Sequence, residues 1–79
     1  MPRSYVVNAE WDQDASVWIA TSEDVPGLCA QAGSLDELVE VVKALVPELL
    51  EANQALPAEA GPIPLDFLAR RQAFARVSA

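Results

Sequence analysis

A chain of 79 residues, 52% hydrophobic and 22% charged, has the length of one domain and the composition of a globular rather than a disordered protein. Its formal net charge of −7 excludes a general nucleic-acid binder, which needs clustered Lys and Arg, and suits a basic partner instead. A core this small gives thin stability, so a homo-oligomer is expected from size alone.

Ser4 to Trp11 alternates as a strand, with Tyr5, Val7, Ala9 and Trp11 on one face and Val6, Asn8 and Glu10 on the other. Asp12-Gln13-Asp14-Ala15 is a polar loop of hairpin length, so the next run, Val17 to Ser22, pairs antiparallel with the first. That strand stops at Glu23-Asp24, followed by Val25-Pro26-Gly27, a turn built from the two residue types that fix unusual backbone angles. Leu28 to Gly33 reads as a third strand, with Leu28, Ala30 and Ala32 on one face and Cys29 and Gln31 on the other.

Ser34-Leu35-Asp36-Glu37 opens a helix: the Ser34 hydroxyl can accept from the backbone at Glu37, and two acids meet the positive end of the helix dipole. The stripe Leu35, Leu38, Val39, Val42, Leu45, Val46 and Leu49 has helical spacing and faces a core, leaving Glu37, Glu40, Lys43 and Glu51 in water. Pro47 removes one helical hydrogen bond and crowds the preceding turn, so a kink or slight break is expected before the helix ends near Asn53. Residues 54–62 form a loop with Pro57, Gly61 and Pro62 as breakers. In 63–77 two periods compete: Ile63, Leu65, Phe67 and Ala69 alternate as in an edge strand after Pro62 and Pro64, whereas Ala69-Arg70-Arg71-Gln72-Ala73 favours a helix.

Charge is unevenly spread. Residues 1–60 hold eleven acids and only two bases, Arg3 and Lys43, while residues 61–79 hold Arg70, Arg71 and Arg76 against Asp66 alone. A cationic tail on an anionic body invites contact between subunits. An edge at Ile63, Leu65 and Phe67, with Arg70 and Arg71 beside it, is the candidate oligomer interface. The acidic step at Glu23 and Asp24 is the candidate contact for another partner.

Catalytic material is scarce. The chain has no histidine, and Cys29 has neither a His nor a second Cys to act with, so a buried free thiol is expected. Asp12, Asp14 and Asp24 are the remaining carboxylates that could gather a cation, but Asp-x-Asp in a hairpin is ordinary turn chemistry, and neither a catalytic site, a metal nor a cofactor is expected. The stretch MPRSYVVNAEWD lacks a secretory apolar core, and no window reaches the ~20 apolar residues that span a bilayer. With one cysteine, the expectation is a cytoplasmic protein with no membrane partner.

Taken together, Trp11-Asp12, Val17-Trp18-Ile19-Ala20, the run Ser22 to Leu28 (SEDVPGL), Ser34-Leu35-x-Glu37-Leu38 and Val46 to Leu50 (VPELL) resemble the HicB family of antitoxins, most closely a short prokaryotic branch described as a domain of unknown function. The resemblance spans residues 4–53, with a looser match at Ile63-Pro64. It implies an α+β fold of order β-β-β-α-β, an antiparallel sheet with one helix packed on a face, similar to a partial ribonuclease-H-like fold without a nuclease centre. Residues 4–33 would form the three-stranded sheet and 34–53 the helix, and 63–77 would hold a fourth strand. It also implies a non-enzymatic role: HicB proteins bind HicA, a small basic toxin of the double-stranded-RNA-binding type that cleaves mRNA. Many HicB proteins carry a further C-terminal DNA-binding domain, for which these 79 residues have no room.

Overall fold

The computed structural model describes residues 4–54, 56 and 61–78. Their element order is β1 (Tyr5–Asp12), β2 (Val17–Thr21), β3 (Cys29–Ala32), α1 (Leu35–Ala52) and β4 (Leu65–Arg70). The fold is α+β: a four-stranded sheet of order β3-β2-β1-β4 with one helix packed on it. Of the expected loop over 54–62, residues 55 and 57–60, including Pro57, lie outside the described residues.

β1 and β2 form the expected antiparallel hairpin, with Ala9 opposite Ala20 and Trp11 opposite Trp18, and β2 pairs antiparallel with β3. The fourth strand makes the sheet mixed, because β4 runs parallel to β1, with Tyr5 opposite Leu65 and Glu10 opposite Arg70. The cause is the crossover. α1 carries the chain back along the sheet after β3, and the next strand must then run in the direction of β1. This also settles the competition in the tail. β-pairing to β1 captures Leu65–Arg70 as a strand, and the helix-prone composition there loses to tertiary contacts.

One sheet face carries the core. Val7, Ala9, Trp18, Ala20 and Ala30 are buried against Leu38, Val42, Val46 and Leu50 of α1, with Val25 and Leu28 closing the end. Ala9, Ala20 and Ala30 keep the sheet floor thin where the helix crosses. The helical stripe is as the spacing predicts, with Leu50 added to it. α1 is capped by Ser34, whose Oγ accepts from the Glu37 N–H at 3.2 Å. It runs unbroken through Pro47, which is exposed, because Val46, Leu49 and Leu50 hold the turns on either side against the core.

α1 packs on β3 and β2 and leaves the β1–β4 side of the same face less covered, so Tyr5, Trp11, Leu65 and Phe67 are only half-buried. Beyond Arg70 the chain continues as an exposed arm, residues 71–78, in no regular element of its own.

Candidate functional site

Two groups of residues organise the surface, one at each end of β1. The first is the step between β2 and β3. β2 stops at Thr21, which pairs with Asn8, so on the β2 side the backbone groups of Val6 have no strand partner. Ser22 and Asp24 supply the missing partners: Asp24 Oδ2 accepts from the Val6 N–H at 2.8 Å, and Ser22 Oγ donates to the Val6 carbonyl at 2.6 Å. Ser22 Oγ also accepts from the backbone of Asp24 and Val25, at 3.1 and 3.2 Å. One hydroxyl and one carboxylate therefore extend the ladder past the end of β2.

The turn that follows is type II. The Leu28 N–H donates to the Val25 carbonyl at 3.2 Å, Pro26 holds the first central position, and Gly27 takes the second at φ +84°. Asn53 locks this turn to the helix end: its Nδ2 donates to Pro26 O at 3.3 Å and to Leu49 O at 2.8 Å. Of the two acids expected to meet a partner, Glu23 is exposed, while Asp24 is half-buried with a carboxylate oxygen on Val6.

The second group lies at the hairpin end. Trp11 and Trp18 meet edge to face across β1 and β2, with ring centroids 5.6 Å apart and planes at 63°. Arg71 comes back over the Trp11 ring, its guanidinium carbon 4.3 Å from the centroid. Beside them a shallow groove of about 330 Å³ is lined by Glu10, Trp11, Asp12, Gln13, Ile19 and Thr21. Asp12 also serves the turn, its Oδ1 accepting from the N–H groups of Asp14 and Ala15 at 3.0 and 3.3 Å. Asp12 and Asp24 stand at opposite ends of β1, about 20 Å apart at ~3.3 Å per residue, so the fold does not gather the three aspartates. Among the described residues no cluster of metal-ligating side chains forms.

Of the candidate interface residues, Ile63, Leu65 and Phe67 are half-buried against the core, while Arg70 and Arg71 are exposed. β4 is an edge strand, as the sheet order requires. Cys29 corrects an expectation: the thiol is exposed, not buried. On β3, Leu28 and Ala30 take the core-facing positions, and strict alternation turns Cys29 to the open face of the sheet. Residue types alone had hidden Asn53 and the Ser22 hydroxyl as organisers of the step. The signal for Ser22 was its place just before a Pro-Gly turn, where a hydroxyl can bond the backbone two residues on. No described helix is long and apolar enough to cross a membrane.

A family model described as "Domain of unknown function (DUF1902)" matches residues 4–79. Among solved structures, the hypothetical protein TTHA1013 from the extremely thermophilic bacterium Thermus thermophilus is similar, with 43% sequence identity and a TM-score of 0.78 over 91% of this chain and 99% of that one. The comparison with curated proteins gives no match.

Proposed function

This chain belongs to the DUF1902 family, and from that premise we propose that it is a HicB-like, non-enzymatic docking module that neutralises a small basic HicA-like toxin in the cytoplasm. The observation that carries this reading is the acidic groove over Ile19 and Thr21, edged by Glu10 and Asp12 on a chain of net charge −7. An acidic surface with an aliphatic floor offers a cationic side chain both a counter-charge and an apolar surface for its stem. The Ser22–Leu28 step supports the reading in another way. Its Ser, Asp, Pro and Gly are spent on holding β1, β3 and α1 together, which leaves exposed Glu23 as its outward charge. A rigid sheet carrying acids at both ends of β1 is suited to covering a basic active surface.

The test is co-expression with a small basic protein encoded beside this gene, read by growth rescue and by co-elution of the purified pair. Glu10→Lys with Glu23→Lys is expected to weaken the complex and flatten its salt dependence, with the circular-dichroism spectrum unchanged. Absence of both rescue and binding for every neighbouring gene product would overturn the proposal.

A further inference from the structure

We propose that two copies of this chain join through residues 65–77, antiparallel about a twofold axis at Arg71, so that each C-terminal arm completes the partner's β4 edge.

The shape of the chain is the first observation. A compact chain of this length has a radius of gyration of about 12 Å, whereas this one has 15.2 Å and measures 60 Å along one axis against 26 and 19 Å along the others. The arm accounts for the excess, since eight extended residues reach about 26 Å. It carries Phe74 and Val77 at 85% and 96% exposure, beside Leu68 of β4 at 58%. Large apolar groups held out on an arm gain nothing in a lone molecule, and they gain burial once a second surface meets them.

The edge beside the arm is open. Tyr5 N–H donates to the Pro64 carbonyl at 2.9 Å, which in a parallel ladder turns the even-numbered backbone groups of β4 toward β1. Those of Leu65, Phe67 and Ala69 then point outward, and among the described residues no strand pairs with them. An open edge of this kind is a template for another strand.

The sequence selects its own copy as that strand. With the twofold at Arg71, Leu68 lies opposite Phe74 of the second copy, Asp66 opposite Arg76, and Leu65 opposite Val77. Apolar meets apolar, acid meets base, and the symmetry repeats each pair. Neighbouring registers lose this match: an axis at Arg70 sets Asp66 against Phe74, and an axis at Gln72 sets Leu68 against Arg76. The register also satisfies the backbone, because the outward-facing odd residues of one strand meet odd residues of the other. At the axis the two Arg71 side chains do not have to meet, since each guanidinium is drawn back over its own Trp11, on the β1 side of β4. Charge favours the same partner. Residues 70–79 hold three of the five basic residues and none of the twelve acids, so a second copy offers each arm an acidic body.

Light scattering on the full chain is expected to give twice the 8.5 kDa chain mass, and deletion of residues 71–79 to give a folded monomer. Asp66→Arg or Arg76→Asp alone is expected to raise the dimer Kd about tenfold, because the twofold repeats the pair, and the two together to restore it. In a Cys29→Ala background, mixing a Leu68→Cys chain with a Phe74→Cys chain is expected to yield an intermolecular disulfide. Opposed residues at a non-hydrogen-bonded antiparallel position have Cα atoms about 4.5 Å apart, within disulfide reach. A monomer at the highest soluble concentration, a dimer that survives loss of the arm, or a mixture that fails to cross-link would each overturn the proposal. The outcome is separable from toxin binding: a monomer that still binds a basic partner overturns the dimer alone, and a dimer that binds none overturns only the functional reading.

Discussion

Ser22 ties three backbone positions together through one hydroxyl. Its hydroxyl donates to Val6 and accepts from Asp24 and Val25, so Ser22→Ala leaves backbone groups at the end of β1 with one partner fewer. A loss of about 1–3 kcal/mol is expected in urea unfolding. Gly27 acts through its backbone instead. A Cβ there would meet only Leu49 Cδ2 at 3.8 Å, an ordinary contact, so the whole penalty of Gly27→Ala comes from φ +84° and is about 1–2 kcal/mol. Gly33 is the control: it lacks a left-handed φ and a Cβ on it would meet nothing within 4 Å, so Gly33→Ala is expected to be neutral or slightly stabilising in the same titration. The Pro-Gly turn was legible from two letters because both residues act locally. Asn53 was not, because its bond to Pro26 joins positions 27 apart in sequence.

At the scale of elements, the helix shows how burial overrides a local penalty. Pro47 sits inside α1 on an exposed face, while Val42, Val46 and Leu50 are buried around it. The expected slight break does not occur, and α1 stays continuous from Leu35 to Ala52 because apolar turns on both sides are anchored to the sheet. Restoring the missing N–H with Pro47→Ala is expected to raise stability by up to about 3 kcal/mol, read as a shift in the urea midpoint at constant slope. Ser34→Ala works in the opposite direction, with a loss of about 1 kcal/mol from the cap. The strands follow the same logic. Alternation placed Tyr5, Val7, Ala9 and Trp11 on the core side, and the residues opposite them on β2 and β4 continue that face. Alternation said nothing of strand direction, and β4 runs parallel to β1 because an 18-residue helix returns the chain to where β1 began.

The whole molecule is an asymmetric object: a body with its helix over β2 and β3, an open β4 edge, and an arm that leads away from it. If the arm is shared between copies, folding and association are linked, and the apparent Tm rises with protein concentration. A scan over two decades of concentration is expected to show that rise for the full chain and none after deletion of residues 71–79. Added salt is expected to lower the midpoint of the full chain more than that of the deleted one, because the arm brings its arginines to an acidic body. The acidic character of the candidate site was readable from composition, but its location was not. Glu10 and Asp12 reach one groove with Ile19 and Thr21 only because of the hairpin register.

The sequence by itself determined what depends on near neighbours. The strand faces, the hairpin, the Pro-Gly turn, the Ser34 cap, the helical stripe and the charge imbalance between body and tail are all set by residues within a few positions of each other. Only the tertiary structure decided what depends on distant pairings. It chose strand over helix at Leu65–Arg70, made the sheet mixed, turned Cys29 outward, and spent Asp24 on Val6. The physical reason is range: backbone propensity and periodicity act within a turn or a strand. Hydrogen-bond ladders and apolar burial, by contrast, select among the alternatives that such local rules leave open.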